Sequence, residues 1–339
     1  MATAARIPYR AFGHVVFANR KINGLPRWSA RDRRGRGGPL GVIDVRLREW
    51  PAPLARPVRS SQQPTYVSPF RSPDGEPALK TYRRAGGALW HLDRPDGSRC
   101  AVDHAGARVW WTWPDTVADP EEFLLGTGLG FALRLGGELC LHAAAIDIDG
   151  RAVVLAGMPG SGKSTLAALL GRRPHAVVTD DLAVVRRRNG AFVVEPGPCR
   201  VRLRREVGLK LRRIVGPDLP LHPSPTGEFL DLPIGSEDWP QPRVCVPIDA
   251  IYLMRPPARR SPRAAVRDVS RADAVIALVA DSWAARLQTP ASRRREFDAV
   301  SALVAGVAVR QVVAGRGFAS LLHVRDLLLA DITRRRSAA

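Results

Sequence analysis

The sequence predicts an α/β protein in which a P-loop core, built on a mixed sheet, follows a small β-rich N-terminal region. Three observations predict this fold. Residues 157–164, GMPGSGKS, match the Walker A phosphate-loop pattern G-x-x-x-x-G-K-[ST]. Residues 141–155 contain two apolar strands separated by Asp149-Gly150, a dipeptide typical of a tight hairpin turn. Residues 88–113 contain further short strands separated by turn residues.

The chain before the core divides into two predicted segments. Residues 1–40 carry nine basic side chains and one acidic one, Asp32, and this composition predicts a disordered basic arm. Residues 41–120 are predicted to form the small β-rich region, because short alternating strands recur there between turn residues. The P-loop domain is then predicted to span residues 121–335, beginning with a helix at 121–140.

The phosphate loop lies between a predicted buried strand and a predicted helix, which is the context that makes the pattern a nucleotide site. Glycines let the backbone approach a phosphate closely, and the free N–H groups at a helix start point at the anion. Lys163 supplies a positive charge for the outer phosphates, and Ser164 supplies a hydroxyl ligand for Mg²⁺. The residues predicted to bind ATP are Gly157, Met158, Pro159, Gly160, Ser161, Gly162, Lys163, Ser164 and Thr165.

Two adjacent carboxylates, Asp180 and Asp181, end the next predicted strand. A strand that ends in Asp after a phosphate loop is typical of enzymes that use magnesium nucleotides. Adjacent side chains at a strand end diverge, so one carboxylate can hold the metal while the other accepts a proton as a general base. His142 opens the preceding hairpin and is predicted to orient a carboxylate of this cluster. The sequence alone leaves open which aspartate has which role.

Turn residues, capping residues and apolar runs predict the remaining strands and helices of the P-loop domain. A second hairpin is predicted around Asn189-Gly190, and a strand at 244–254. Ser270 and Asp273 form a capping box that opens a helix predicted to end at about Leu287. Two more helices are predicted at 292–305 and 320–331, with a strand between them at 307–313.

The formal net charge of +20 resembles that of a nucleic-acid-binding protein, but the composition argues against this function. Of the 52 basic residues only four are lysines, a ratio that favours GC-rich codon usage as its origin. The arginine triplets are scattered along the chain and lie outside any recognisable RNA-binding motif. An acidic peptide or protein partner is compatible with the charge, and homo-oligomerisation stays open.

The hydropathy and the cysteines predict a cytoplasmic protein. No run of about 18 apolar residues is free of charge, and the N-terminus lacks the apolar stretch of a signal peptide. The four cysteines fit neither a zinc site nor a disulfide framework, which indicates a reducing compartment.

Taken together, four segments resemble the bacterial HPr serine kinase family: Leu141-His142-Ala-Ala-Ala, the Asp149-Gly150 turn, the phosphate loop and Thr179-Asp180-Asp181. More closely, these segments resemble the HPr kinase-related proteins of peptide-biosynthesis clusters, including lasso-peptide tailoring kinases. The resemblance covers about residues 125–335 and implies an HPr kinase/PEP carboxykinase-like core. Met158 and Pro159 stand where HPr kinase has an acidic residue and a serine, so HPr itself is not the expected acceptor.

The resemblance implies a function and assigns site residues. It implies ATP- and Mg²⁺-dependent phosphorylation of a serine, or similar, hydroxyl on a peptide or small protein, with His142, Lys163, Asp180 and Asp181 in the catalytic centre. It slightly favours Ser164 and Asp181 on the metal and Asp180 as the base. Two other functions stay open: a kinase for a small-molecule hydroxyl, and a nucleotide-dependent scaffold or regulator in a peptide-biosynthesis assembly.

Overall fold

The structure is a computed structural model that describes residues 6–29, 39–58, 62–72, 74–255, 264–283, 290–314 and 317–338. The chain divides into two compact units. The first comprises Met1–Glu138 with Arg286–Pro290, and the second comprises Leu139–Ala285 with Ala291–Ala339. No helix in the described part of the chain is both long enough and apolar enough to cross a membrane.

The first unit is built on an eight-stranded mixed sheet. Its strands are β1 (Ile7–Ala11), β2 (His14–Ala18), β3 (Val42–Leu47), β4 (Tyr66–Val67), β5 (Lys80–Arg84), β6 (Leu89–Asp93), β7 (Arg99–Asp103) and β8 (Arg108–Thr112). Their order across the sheet is β1-β2-β3-β8-β7-β6-β5-β4. Strand β3 pairs in parallel with both β2 and β8, and the remaining pairs are antiparallel.

The helical segment that the sequence assigns to the P-loop domain lies in the first unit. It consists of α1 (Pro120–Phe123), a π-turn at Leu124–Gly128 and α2 (Leu129–Leu135). Phe131 of α2 packs edge-on against Trp90 of the sheet, with ring centroids 5.3 Å apart. Because this contact ties the helix to the sheet, the unit boundary follows residue 138, whereas the sequence predicts it after residue 120.

Residues 6–29 are ordered in the structure, which corrects the prediction of disorder for this part of residues 1–40. Strands β1 and β2 form a hairpin whose turn residues, Phe12 and Gly13, both have positive φ, 52° and 75°. Tyr9, Phe12 and Val16 are almost completely buried. The prediction was wrong because the high net charge of residues 1–40 outweighed these few apolar side chains in the composition. Their burial holds the hairpin in the core. Residues 1–5 and 30–38 lie outside the described residues.

Deleting residues 1–40 is therefore expected to destabilise the first unit strongly. The deletion removes two strands and the burial of three large apolar side chains, each contributing roughly 1.5–3 kcal/mol, while whole domains are stable by only about 5–15 kcal/mol. Thermal unfolding and limited proteolysis measure the effect. Deleting residues 1–5 alone serves as the control. Identical melting temperatures and digestion patterns for the full chain and the 1–40 deletion would contradict the packing seen here.

The second unit contains a nine-stranded mixed sheet and a separate three-stranded sheet. The large sheet contains β9 (Leu139–Leu141), β10 (Ala143–Ile148), β11 (Arg151–Gly157), β12 (Ala176–Thr179), β13 (Ala183–Arg188), β14 (Ala191–Val194), β18 (Val246–Arg255), β19 (Ala265–Asp268) and β20 (Ala308–Val313). The small sheet contains β15 (Arg200–Arg204), β16 (His222–Pro223) and β17 (Phe229–Pro233). The helices are α3 (Lys163–Leu170), α4 (Arg205–Val215), α5 (Arg271–Ala280), α6 (Pro290–Gly306) and α7 (Phe318–Ser337).

The predicted hairpin before the phosphate loop is confirmed. Strand β10 pairs antiparallel with β11, from Ala143 opposite Ala156 to Ile148 opposite Arg151. Asp149 and Gly150 turn the chain with φ values of 55° and 79°. The other edge of β11 pairs in parallel with β18, which brings Gly157 beside Met254. The phosphate-loop strand therefore lies between one antiparallel and one parallel neighbour, as a mixed sheet requires.

Side chains that alternate along the strands of this sheet pack into two hydrophobic cores, one on each face of the sheet. Residues of α5 and α6, including Leu278 and Leu303, cover one face, and residues of α3 and α7, including Leu166 and Leu328, cover the other.

The second predicted hairpin is also confirmed, as β13 and β14. The capping box is confirmed as well, since Ser270 Oγ accepts a hydrogen bond from the Asp273 N–H at 3.1 Å. Helix α5 ends at Ala280, so the prediction that it continues to about Leu287 is wrong: residues 281–283 are already non-helical.

Candidate active site

The phosphate loop requires glycine at several positions for steric reasons. Gly157, Gly160 and Gly162 all have positive φ, 152°, 81° and 95°. A Cβ atom on Gly157 would lie 2.4 Å from the Met254 carbonyl oxygen, and one on Gly162 would lie 2.6 Å from Leu321 Cδ2 of α7. The loop is thus held closely between the neighbouring strand and α7. This backbone geometry is compatible with the predicted binding of a phosphate.

Lys163 lies inside the loop rather than above it. It is almost fully buried, and its Nζ donates hydrogen bonds to the carbonyl oxygens of Gly157, at 2.6 Å, and Met158, at 3.0 Å. Burial lowers the pKa of this ammonium group, and the nearby carboxylates of Asp181, Asp180 and Asp281 act in the opposite direction. A buried cation enclosed by backbone is well placed to meet the outer phosphates of a nucleotide.

Asp180 follows strand β12 and faces the start of α3. The Ser164 hydroxyl hydrogen-bonds to its carboxylate, and the backbone N–H of Arg202 donates to its Oδ2 at 3.2 Å. Its Oδ1 is buried and has no hydrogen-bond partner among the described residues. Burial, reinforced by the charge of Asp181, raises the pKa of Asp180 to about 6. This carboxylate therefore presents a buried oxygen without a hydrogen-bond partner beside the loop serine.

Asp181 and His142 form a separate pair. Asp181 has a φ of 69°, which turns the chain after Asp180, and its side chain is half exposed. His142 Nδ1 lies 3.1 Å from Asp181 Oδ1 and also 3.1 Å from the Asp181 carbonyl oxygen. The prediction that His142 lies beside the aspartate pair is therefore consistent with the geometry. The contact leaves the Asp181 carboxylate half exposed while the imidazole restricts its orientation.

The short segment 281–283 holds His142 from the other side. The His142 backbone N–H donates to the Asp281 carbonyl oxygen at 2.9 Å, and the Trp283 N–H donates to the Cys140 carbonyl oxygen at the same distance. The Trp283 ring packs at a tilt against the imidazole, with centroids 5.4 Å apart. This segment therefore fixes the backbone and one ring face of the histidine.

Sequence reasoning missed Asp281, which lies about a hundred residues after the aspartate pair. Its side chain is almost fully buried, and burial raises its pKa, while Arg255, Lys163 and His142 oppose the shift. Arg255 ends strand β18, directly beyond the residue that pairs with Gly157. The only local signal for Asp281 is a carboxylate directly after an apolar helix, which usually marks a surface position. Only the fold brings this residue to the site.

The structure thus brings His142, Lys163, Ser164, Asp180 and Asp181 into one cluster. The other residues predicted to bind ATP differ in exposure: Met158 is 56% exposed, Pro159 is exposed, and Thr165 is buried. Their roles stay predictions.

The geometry favours a different division of labour between the aspartates from the one that the resemblance suggests. Ser164 hydrogen-bonds to Asp180, so Asp180 is the carboxylate beside the loop serine. Asp181 is turned away by its positive φ and pairs with His142. The expectation that Asp181 holds the metal stays a prediction, and the contact between Ser164 and Asp180 favours Asp180 as the alternative.

These residues fit Mg²⁺. In nucleotide sites this ion usually takes one or two protein ligands and fills its remaining positions with phosphate oxygens and water. The Ser164 hydroxyl and the unpartnered Asp180 Oδ1 provide such a pair of oxygen ligands. Within the described ranges no three His, Cys, Asp or Glu residues form a metal site, which would be the pattern for a closed, all-protein site.

The raised pKa of Asp180 leads to a prediction about stability. Its folded value of about 6 lies above that of an exposed aspartate, so between about pH 4 and 6 the folded state binds more protons than the unfolded state, and stability falls as the pH rises through this window. Asp180→Asn removes the buried charge and keeps an oxygen acceptor for Arg202. At pH 7, without nucleotide, this variant is expected to be more stable by about 1–3 kcal/mol, and the difference should vanish near pH 4.

Thermal unfolding between pH 4 and 8 tests this expectation. Asp218→Asn, at an exposed position, is the matched control. A lower melting temperature for Asp180→Asn at pH 7 than for the wild type would show that the buried carboxylate stabilises the fold.

Comparisons with known proteins point to one family. No family model matches the chain. The chain is 29% identical over 85 residues to the HPr kinase/phosphorylase of Clostridium beijerinckii, a match that covers 25% of this chain and spans only 28% of the relative. Among solved structures it is similar to the Hpr(Ser) kinase/phosphatase of Coxiella burnetii, with 13% identity, a TM-score of 0.30, and coverage of 59% of this chain and 93% of that one. The sequence match therefore confirms that the resemblance read from the motifs is to the HPr kinase/phosphorylase family.

Proposed function

We propose that this chain is an ATP-dependent kinase that transfers the γ-phosphate to a serine, or similar, hydroxyl of a peptide or small protein. One observation carries the proposal: two adjacent aspartates lie in different environments beside one phosphate loop. Asp180 is buried against Ser164, whereas Asp181 is half exposed and pairs with His142. A protein that only binds nucleotide has no use for the second, accessible carboxylate. The sequence match to an HPr kinase/phosphorylase supports the same reaction class.

Each residue of the cluster has a role in this reaction. The loop N–H groups and Lys163 bind the phosphates, and Lys163 exchanges its two backbone carbonyl partners for phosphate oxygens. Ser164 and Asp180 would hold Mg²⁺, which would neutralise charge on the outer phosphates. Asp181 accepts the proton of the attacking hydroxyl, and His142 orients its carboxylate. Asp281 and the segment that follows it keep His142 in place.

A peptide or protein acceptor suits the half-exposed position of Asp181, because a base at the surface can reach a hydroxyl on a large partner. We further propose a role in the tailoring of peptide natural products, such as lasso peptides, and a reducing, cytoplasmic setting. The first rests on the motif resemblance. The second rests on the spacing of the four cysteines, all of which carry free thiols.

Two alternatives lead to different experimental outcomes. A small-molecule hydroxyl kinase would consume ATP in the presence of a metabolite and leave peptides unmodified. A nucleotide-dependent scaffold would bind ATP and change its affinity for a partner without modifying it.

Phosphoryl transfer to precursor peptides encoded beside the chain's own gene tests the proposal. The protein is incubated with Mg²⁺ and labelled ATP, and the peptides are analysed by mass spectrometry. The expected result is one phosphate on a serine, which should be absent with Asp181→Asn. If the peptides stay unmodified and the affinity for a partner depends on ATP, the scaffold function would be supported and the kinase function rejected.

A further inference from the structure

Helix α4 exposes a basic and apolar face beside the proposed active site. Gly208 and Leu211 are buried on the opposite side of the helix, whereas Leu209 and Ile214 are 41% and 49% exposed. Arg205, Leu209 and Arg213 are spaced by four residues, so they form one stripe along the helix. We call Arg205, Leu209 and Arg213 the α4 face.

The charges of this face lack internal partners. Arg205 and Arg213 are exposed, as is Arg204 directly before the helix, and within the described residues none of the three forms an ion pair. Lys210, by contrast, pairs with Glu206 one turn away. An exposed leucine flanked by two unpaired guanidinium groups suits a partner that carries both carboxylates and apolar side chains.

The α4 face is linked directly to the catalytic cluster. Strand β15, whose Arg202 N–H donates to Asp180, runs into the first turn of α4. The Arg202 guanidinium forms a two-pronged ion pair with Asp231 of β17, at 2.9 and 3.0 Å, which fixes this strand. Arg205 follows Arg202 by only three residues, which is about 10 Å of extended chain, so the first turn of α4 lies near Asp180.

We propose that the α4 face binds an acidic segment with apolar side chains, located in the acceptor a few residues from the modified serine. Its role in acceptor choice rests on the proposed kinase function, whereas the binding itself does not. The excess of basic residues in the whole chain would draw such a segment toward the protein, and the α4 face would fix its position. The exposed leucine favours a peptide over a nucleic acid, whose phosphates would gain little from it.

The binding experiment uses three fluorescently labelled peptides with a single serine each. One alternates glutamate and leucine, and the other two carry glutamine or lysine in place of glutamate. Fluorescence anisotropy with the full-length protein measures affinity at low and at moderate salt. The glutamate peptide is expected to bind most tightly and to lose affinity with salt, because exposed charges are screened within about 10 Å at 0.1 M.

Variants then locate the binding surface. Arg205→Glu/Arg213→Glu should weaken binding of the glutamate peptide by about five- to tenfold. The control Arg294→Glu/Arg295→Glu makes the same charge change at exposed positions of α6, so it should have a much smaller effect. Leu209→Ser should weaken binding while leaving its salt dependence unchanged. Equal losses in both double variants, or tighter binding of a single-stranded RNA of equal length, would overturn the proposal.

A separate readout distinguishes failure of this inference from failure of the kinase function. Neither double variant changes a residue of the phosphate loop, so the affinity for MgATP should stay the same in both. Phosphorylation of a true acceptor should show a raised KM and an unchanged kcat in Arg205→Glu/Arg213→Glu. Peptide binding at the α4 face without any transfer would refute the kinase alone, and transfer that is insensitive to the α4 variants would refute the α4 face alone.

Discussion

Lys163→Ala should weaken the binding of MgATP about 10²-fold or more while the protein stays folded. Lys163 is the buried cation of the phosphate loop, and removing one partner of a desolvated charge pair typically costs about 2–5 kcal/mol. The helix that it opens is held by Leu166 and Leu170 in the core, so it needs no lysine at this position. Isothermal titration calorimetry with ATP and Mg²⁺ measures the affinity, and circular dichroism monitors the fold.

Lys80→Ala is the matched control for this experiment. Lys80 is one of the three other lysines, and it pairs with Glu76 at the surface of the first unit. Its loss should leave nucleotide affinity unchanged. A folded Lys163→Ala protein with wild-type affinity for ATP would rule out the phosphate loop as the nucleotide site.

Asp181→Asn should reduce phosphoryl transfer by about 10²–10⁴-fold, the usual contribution of a positioned general base. Asparagine keeps the size and the contact with His142 but cannot accept the proton of the hydroxyl. The affinity for MgATP should change little, because Asp180 and Ser164 are the proposed metal ligands. Rapid-quench measurement of a single turnover with a phosphorylatable acceptor separates the two quantities.

Asp180→Asn provides the comparison, since it should impair both MgATP binding and transfer. His142→Ala should slow transfer more than it weakens binding, because His142 acts through Asp181. If Asp181→Asn loses MgATP affinity and Asp180→Asn retains it, the two roles are reversed. Full transfer by both variants would exclude the mechanism.

The sequence by itself determined the local parts of this protein. The phosphate loop, its lysine and serine, and the Asp149-Gly150 and Asn189-Gly190 hairpins were all predictable, because glycine-rich loops and two-residue turns depend on backbone preferences of adjacent residues. The capping box that starts α5 was predictable for the same reason. In each case the interacting groups are separated by a few residues, so the pattern itself contains the contact.

Composition was a poor guide to the first forty residues. Net charge averages over a segment, whereas folding depends on whether a few side chains such as Tyr9 and Val16 find a core. Their partner strand, β3, lies beyond residues that carry the charge, and its parallel pairing with β2 leaves no local turn signal.

Only the tertiary structure decided which aspartate hydrogen-bonds to the phosphate-loop serine and which groups surround the pair. The pairing of Ser164 with Asp180 depends on how β12 lies against α3, and the positive φ of Asp181 then directs the second carboxylate to His142. Asp281 joins the cluster because the segment after α5 pairs with β9. These contacts link residues that are far apart in the chain. A one-residue change in strand register would also exchange the positions of the two aspartates. No local sequence pattern could therefore specify the contacts.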